Sequence, residues 1–211
     1  MNNVKKSIGW ADYTINPIKG LCKQGCWYCY ARRMYKRFHW KEEVILRLDE
    51  LDKIKTIKEP SRIFLCSTHD LFGEWIPDKW IFDIITKLQN YSQHTFLLLT
   101  KNPNKYANYC FRKNFWLGQT ITGKGVLNYI KNSGINFVSF EPLLEEINYP
   151  LDFVNWVIIG ALTGKGAYKI PPKEYWIIKI LYEADKCKIP VFMKNNLKPY
   201  WQGKLRQEFP S

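Results

Sequence analysis

Long apolar runs are absent from this chain of 211 residues. No stretch approaches the roughly 20 consecutive apolar residues that cross a bilayer. The polar start over residues 1–6 lacks the apolar core of a signal peptide. Linker-like stretches, low-complexity tracts and short repeats are also missing. These absences argue against a membrane protein and predict a single domain over residues 1–211 in the cytoplasm.

Histidine and acidic residues are scarce. The three histidines, His39, His69 and His94, have no spacing that matches a metal site. Against 32 Lys and Arg there are 19 Asp and Glu, which gives a formal net charge of +13. This excess favours a polyanionic partner such as nucleic acid. Because most of it is lysine, accompanied by abundant Asn and Ile, it also fits the composition of an AT-rich genome.

A fourth metal ligand is missing beside the cysteine cluster. Cys22, Cys26 and Cys29 form a CxxxCxxC motif with Tyr28 directly before the last cysteine, and the next cysteine is Cys66. A structural zinc site or a closed ferredoxin-type cluster takes four protein ligands. Three thiolates on one loop can instead hold three corners of a cubic iron–sulfur cluster. The spacing therefore favours an open [4Fe–4S] cluster whose fourth iron binds an exogenous ligand.

Apolar runs and amphipathic segments alternate with the interval of repeated βαβ units. The apolar runs predict strands within residues 13–18, 62–68, 94–100, 115–121, 136–141, 153–162 and 190–194. The segments between them predict helices within residues 30–38, 42–57, 80–89, 126–132 and 173–184, with a short helix around residue 106. Strands connected in this way form a parallel sheet, and right-handed crossovers curl it into a barrel or partial barrel. The sequence therefore predicts an α/β fold with six or seven parallel strands.

Polar residues or glycine follow the apolar part of most predicted strands. They include Ser67, Asp70, Thr100, Lys101, Gln119, Ser139, Glu141, Gly160 and Lys194. Ligands of parallel α/β folds gather at the C-terminal ends of the strands, so the set predicts a binding site at that edge, beside the cysteine loop. Any single member also suits an ordinary loop start, because loops begin where strands end.

The cysteine motif with its preceding aromatic residue resembles the cluster loop of the radical S-adenosylmethionine (SAM) superfamily. A longer similarity links the chain to a phage-associated three-Cys-motif family of unassigned reaction, and a distant one to the spore photoproduct lyase family. The matching segments are GWA at 9–11, TINP at 14–17, YCYARR at 28–33, CS at 66–67, DLF at 70–72, LTKNP at 99–103, FEPL at 140–143, WVIIG at 156–160 and VFMK at 191–194. They run in order through nearly the whole chain. The resemblance implies an open (β/α)6-type partial TIM barrel.

The resemblance also implies the cofactors and the residues that hold them. A [4Fe–4S] cluster on Cys22, Cys26 and Cys29 would bind SAM at its open iron, cleave it reductively and start hydrogen abstraction from a substrate. The resemblance places further cofactor-binding residues at Tyr28 and at the strand ends. Ser67 and Asp70 would bind the SAM amino group, and Gln119 would bind the ribose. The adenine would lie at Ser139, Glu141 and Gly160, with Lys194 close by. A flavodoxin or ferredoxin would supply the electron.

Four positions leave alternatives open. Glu141 either binds SAM or substrate or pairs with Lys101 or Lys194. Cys66 is either a hydrogen-atom donor or a buried strand cysteine. The basic helix that follows Cys29 either offers one of its basic side chains (Arg32, Arg33, Lys36 or Arg37) to the cluster or the SAM carboxylate, or is a solvated surface. After the sixth strand, where relatives commonly read GGESG, residues 160–164 read GALTG, which puts a shared polar contact or substrate in doubt.

The substrate class also remains open. Because the barrel is small and open, the sequence favours a large substrate, with the substrate or a partner protein closing the site. Nucleic acid repair or modification is the first hypothesis, and peptide or protein modification is the second. A zinc-stabilised nucleic-acid-binding module with Cys66 as a remote ligand, and a closed electron-carrier cluster, are the alternatives outside this enzyme class. The lone Cys110 and Cys187 are predicted to be small buried residues.

Overall fold

A computed structural model describes residues 1–123, 125–131, 134–164 and 166–210. Across these residues, eight strands form one sheet that curls into a half-barrel. The strands are β1 (Asn2–Asn3), β2 (Tyr13–Ile15), β5 (Arg62–Leu65), β6 (Thr95–Thr100), β7 (Phe115–Thr120), β8 (Asn136–Phe140), β9 (Trp156–Ile159) and β10 (Val191–Met193), in this spatial order. From β2 onward every neighbouring pair is parallel, and β1 pairs antiparallel with β2. The parallel α/β sheet predicted from the sequence is confirmed, with the seventh parallel strand.

Three α-helices lie within the described residues: α1 (Tyr30–Phe38), α2 (Asp78–Leu88) and α3 (Glu174–Lys186). In α2 the buried residues recur at the three- and four-residue spacing of one helix face, which packs on the sheet. All three helices lie where the sequence predicts them, within a few residues at each end. Within the described ranges, no helix is both long and apolar enough to cross a membrane.

Residues 42–57, predicted to be helical, divide into two different structures. Ile45–Leu46 is a strand, β4, which pairs antiparallel with β3 (Ile18–Lys19) in a ribbon outside the main sheet. Leu48–Thr56 is a 3₁₀ helix in which Leu51 and Ile54 are buried. A spacing of three residues matches the three residues per turn of a 3₁₀ helix, so it brings both side chains to one face. Shorter 3₁₀ helices cover Pro103–Asn108, Ala167–Lys169 and Asn195–Tyr200.

The helix predicted over residues 126–132 is wrong for residues 126–131, which are irregular, and residue 132 lies outside the described part. Neighbouring side chains bind the backbone of this segment. The amide of Gln119 bonds the Val126 carbonyl and the Asn128 N–H, and the Asn136 amide donates to the Ile130 carbonyl. These bonds replace the backbone bonds that a helix would make.

The lone cysteines also differ from expectation, since Cys110 is exposed and Cys187 is half-buried.

The two faces of the sheet are both buried, but against different partners. Side chains such as Val138 pack with the helices, whereas Phe137, one residue earlier, points to the concave face. The N-terminal segment fills the concave side, where Trp10 and Ala11 pack against the residues from that face of the strands. The Trp10 ring lies 4.7 Å from Phe64 and 6.3 Å from Trp156, centroid to centroid. This aromatic layer forms the floor below the carboxyl ends of the strands.

The C-terminal tail covers the sheet at β10. Gln207 bridges antiparallel to Phe192, and the Glu208 N–H donates to the Val191 carbonyl at 3.0 Å. Phe209 then lies 5.6 Å from Trp156, and the Arg62 guanidinium sits 3.7 Å from the centre of the Phe209 ring. The tail thus contacts both the β5 and the β9 side of the half-barrel.

Candidate functional site

A cavity of about 330 Å³ opens at the carboxyl edge of the parallel strands, above the aromatic floor. Of the residues that the sequence singles out for the site, eleven line it: Cys22, Cys26, Tyr28, Cys29, Cys66, Ser67, Asp70, Thr100, Lys101, Glu141 and Lys194. They come from the cysteine loop and from the ends of β5, β6, β8 and β10. The fold therefore brings together residues that are spread over more than 170 positions of the sequence.

The other predicted site residues, Gln119, Ser139 and Gly160, lie close to the cavity but outside its lining. Gln119 is buried and bonds the segment after β7, while the next residue, Thr120, faces the cavity. The buried Ser139 hydroxyl has no hydrogen-bond partner in the described part of the chain. A Cβ on Gly160 would lie 3.1 Å from both the Glu141 and the Lys194 side chain, so glycine makes room for that pair.

The start of the cysteine loop is fixed at Gly20. Its φ of +100° suits glycine, and a Cβ there would lie 2.1 Å from the Glu43 carbonyl oxygen. The Gly20 N–H donates to the Tyr35 hydroxyl at 2.8 Å, and its carbonyl oxygen lies 3.1 Å from Nδ1 of His69. The other ring nitrogen of His69 accepts from the Trp75 indole at 2.8 Å, so Nδ1 carries the proton and donates to Gly20.

The two arginines at the start of α1 both bind backbone. Arg32 donates to the Cys22 carbonyl at 2.9 Å, and Arg33 donates to the Thr163 carbonyl at 3.0 Å. Arg32 therefore fixes the loop at its first cysteine, while Arg33 ties α1 to the segment after β9. Each guanidinium keeps further N–H donors, so a contact of Arg32 or Arg33 with the cluster or the SAM carboxylate stays a prediction.

Burial dominates the electrostatics beside the cysteines. It raises the pKa of the Cys22 thiol and lowers the pKa of the Lys101 ammonium, although the nearby thiols of the loop oppose the lowering at Lys101. Lys101 also lines the cavity, with its Nζ 5.8 Å from the centre of the Tyr28 ring. A buried cation beside three thiols can balance negative charge held there. Lys101 belongs to the strand-end set that the sequence places at this edge, and it lines the cavity as that pattern predicts.

Asp70 joins the ends of two strands. One of its oxygens accepts from the Thr100 hydroxyl at 2.6 Å and the Phe72 N–H at 3.0 Å, and the other accepts from the Lys101 N–H at 2.9 Å. A carboxylate offers about four lone-pair sites, so one remains for a further donor. Ser67 lies beside it, with its hydroxyl 3.2 Å from the Asn16 amide oxygen.

The end of β8 meets the end of β10 through an ion pair between Glu141 and Lys194, and both residues are largely buried at the cavity wall. The sequence left open whether Glu141 pairs with Lys101 or Lys194, and the structure selects Lys194. On the opposite wall, the Tyr28 hydroxyl bonds Thr122 and the Cys26 thiol, and burial raises the Tyr28 pKa. Tyr28 therefore connects the cysteine loop to the segment after β7.

The cysteine loop has the donor set for a cluster with three protein ligands. Cys22, Cys26 and Cys29 line one cavity, and the Cys29 N–H donates to the Cys26 carbonyl in a tight turn. Among the side chains that the structure describes, no three His, Cys, Asp or Glu converge on a position for a single metal ion. Each thiolate of a cubic cluster binds a different iron, so its sulfurs need not converge on one point. The three thiols thus fit the cluster in number, type and location.

The fold and this cavity define the class: an open α/β half-barrel with a three-cysteine loop at the carboxyl edge of its parallel strands. The chain belongs to the family described as "Protein of unknown function (DUF5131)", whose model matches residues 5–205. No curated protein matches the chain significantly. A solved structure of a spore photoproduct lyase double mutant, with bound AdoMet and dinucleoside spore photoproduct, is similar in fold, with a TM-score of 0.50 and 12% identity. The match covers 80% of this chain and 61% of that one.

Proposed function

We propose that this protein is a radical SAM enzyme in which Cys22, Cys26 and Cys29 hold a [4Fe–4S] cluster. The observation that carries the proposal is that these cysteines line one cavity together with the polar ends of β5, β8 and β10. Such a cluster, when bound with SAM, supplies the electron that cleaves SAM and the radical that takes hydrogen from a substrate. The solved structure of similar fold, which carries AdoMet, supports the same cofactor here.

The residues of the cavity then have specific binding roles. Asp70, with a lone-pair site left, and Ser67 accept from the SAM ammonium. Lys101, buried beside the cysteine loop, balances the charge of the cluster and the SAM carboxylate. The adenine is assigned to the side of the cavity at the ends of β8 and β9, where Glu141 lines the wall. The apolar floor excludes water from the reacting groups.

Nucleic acid is the proposed substrate class, acted on for repair or modification. The net charge of +13 favours a polyanion. The ligand of the similar structure, a dinucleoside spore photoproduct, supports the same class of molecule. A cavity of about 330 Å³ admits a single extruded base more readily than a paired duplex, so flipped, damaged or single-stranded sites are the preferred targets.

Anaerobic reconstitution tests the cofactor assignment. The protein should take up about four irons, as expected for a [4Fe–4S] cluster, and it should release 5′-deoxyadenosine when reductant and SAM are added. Cys22→Ala, Cys26→Ala and Cys29→Ala should each abolish both results. Cys110→Ala is the matched control, because Cys110 is exposed and lies outside the cavity. Stoichiometric zinc without iron uptake, or a loss at Cys110→Ala equal to the others, would contradict the proposal.

A further inference from the structure

The end of α1 exposes a pair of aromatic rings among basic side chains. Phe38 is 50% exposed and Trp40 is 44% exposed, although both are large apolar residues. Their ring centroids are 5.4 Å apart with an interplanar angle of 22°, which is a stacked arrangement. The Arg37 guanidinium lies 5.3 Å from the centre of the Phe38 ring. We refer to residues 36–41 as the α1 platform.

The platform is held in place by the buried side of α1. His39 ends the helix with a φ of 51°, and the Trp40 N–H then donates to the Tyr35 carbonyl at 3.2 Å. The Trp40 ring lies edge-on to the ring of the buried Tyr35 at 5.3 Å. Since Tyr35 also binds Gly20, the orientation of the platform is coupled to the cysteine loop.

The platform also lies close to that loop along the backbone. After Trp40 the chain returns to the loop, where the Leu21 N–H donates to the Glu42 carbonyl at 2.9 Å. Leu21 directly precedes Cys22, and α1 begins directly after Cys29. One limb of the cysteine loop is thus hydrogen-bonded next to the platform through Glu42, and the other is joined to it by α1.

The cations of the platform have no ion-pair partners among the residues that the structure describes. Lys36, Arg37 and Lys41 have no carboxylate within ion-pair distance in the ranges that the structure describes. Cations free to bind phosphate beside an exposed ring pair match the two requirements for holding a single strand: a basic track for the backbone and aromatic surfaces for the bases. A helix that lies in a membrane surface instead exposes a wide apolar face, whereas the exposed side of α1 carries Arg33, Lys36 and Arg37.

We propose that the α1 platform binds single-stranded nucleic acid, with a base stacking on the exposed Phe38–Trp40 pair and phosphates contacting Lys36, Arg37 and Lys41. The inference rests on the proposed function and assigns its substrate a path beside the cavity. Because the platform is tied to the cysteine loop through Tyr35 and Gly20, we expect a strand held there to run beside the loop that lines the cavity.

Fluorescence anisotropy with the reconstituted full-length protein and a labelled single-stranded 20-nucleotide probe tests this surface. Phe38→Ala and Trp40→Ala should each weaken binding at least about fivefold, the lower end of measured base-stacking contributions. The double variant Lys36→Gln/Arg37→Gln should reduce the slope of log affinity against log salt by about 0.7 per cation removed. All these side chains are exposed, and circular dichroism checks that the variants are folded.

Matched controls use exposed residues away from the platform. Phe82→Ala removes a ring on α2 that is 62% exposed, and Lys113→Gln removes an exposed cation, so both should leave affinity and salt slope unchanged. An equal loss in Phe82→Ala, an unchanged salt slope in the double variant, or tighter binding to anionic phosphatidylserine vesicles than to the probe would overturn the proposal. Because 5′-deoxyadenosine release is measured separately, wild-type protein that cleaves SAM without binding the probe would overturn the platform and leave the enzyme class standing.

Discussion

Cys66 combines three properties that are rare in one residue. Its thiol lines the cavity of the cluster cysteines, burial raises its pKa to about 12, and its backbone has a φ of 57°. The same pKa keeps the S–H bond intact at neutral pH, as a hydrogen-atom donor requires.

Replacing Cys66 separates a chemical role from a packing role. If Cys66 donates a hydrogen atom to a substrate radical, Cys66→Ala should keep iron content and 5′-deoxyadenosine release while changing the product. The truncation of a buried thiol should lower the free energy of unfolding by only about 1 kcal/mol. Product analysis by mass spectrometry, with denaturant unfolding alongside, measures both effects.

The glycine variant supplies the control for backbone strain. Only glycine adopts a φ of 57° without steric cost, so Cys66→Gly should recover part of the stability lost in Cys66→Ala. It should not recover the product. An unchanged product in both variants would assign Cys66 to the core alone.

The sequence predicts which strand ends line the cavity more accurately than it predicts which way each side chain points. Asp70 and Glu141 both line the cavity as the strand-end argument predicts, but Gln119 points to the helical side of β7 and Thr120 to the cavity. Adjacent strand residues face opposite sides. Which of two adjacent residues faces the cavity depends on how the sheet curves and what packs on it. A strand buried on both faces does not alternate between polar and apolar residues, so its sequence does not show which side faces inward.

Among the elements, α1 links the cysteine loop to the rest of the fold. Arg32 anchors the Cys22 carbonyl and Tyr35 anchors Gly20, while Arg33 reaches the segment after β9. The side chains of α1 therefore hold the cysteine loop in place by bonding to the backbone of the loop. Partners that orient metal ligands in this way typically change metal affinity by about 10- to 100-fold when removed.

Arg32→Ala should weaken retention of the cluster, because the Cys22 carbonyl loses its donor. We expect iron to be lost to a chelator at least about tenfold faster than from the wild type. Lys36→Ala, an exposed change on the same helix, is the control and should leave the rate unchanged. Equal rates in the wild type and Arg32→Ala would show that the loop holds its cluster geometry without α1.

The differences between predicted and observed elements also have a common cause. Residues 48–57 carry apolar side chains at a spacing of three, which is ambiguous between α and 3₁₀ helix until packing selects one. Residues 126–131 have the periodicity of a helix, but Gln119 and Asn136 capture their backbone groups. Long-range side-chain bonds of this kind are invisible in a local pattern, whereas the long parallel strands, whose signal is local, were predicted correctly.

For the molecule as a whole, an incomplete barrel must be closed by something other than strands. The N-terminal segment fills the concave face through Trp10, and Phe209 of the tail packs on Trp156 and stacks under Arg62. Phe209→Ala should therefore lower the free energy of unfolding by roughly 1–3 kcal/mol, from lost packing and a lost cation–π contact. Urea denaturation measures this change.

Phe82→Ala serves again as the comparison, because its exposed ring should contribute less than about 0.5 kcal/mol. If Phe209→Ala lowers the free energy of unfolding no more than Phe82→Ala does, the tail contacts the half-barrel without stabilising it.

The tail also covers part of an open edge of the sheet. A closed barrel has no free strand edge, but a half-barrel has two, and each presents unpaired N–H and C=O groups to any passing chain. Here β1 lies along β2, and residues 206–208 lie along β10 with their backbone bonds made. The segments left at the two borders of the sheet are therefore very short, and short edges offer little surface for edge-to-edge pairing with another chain.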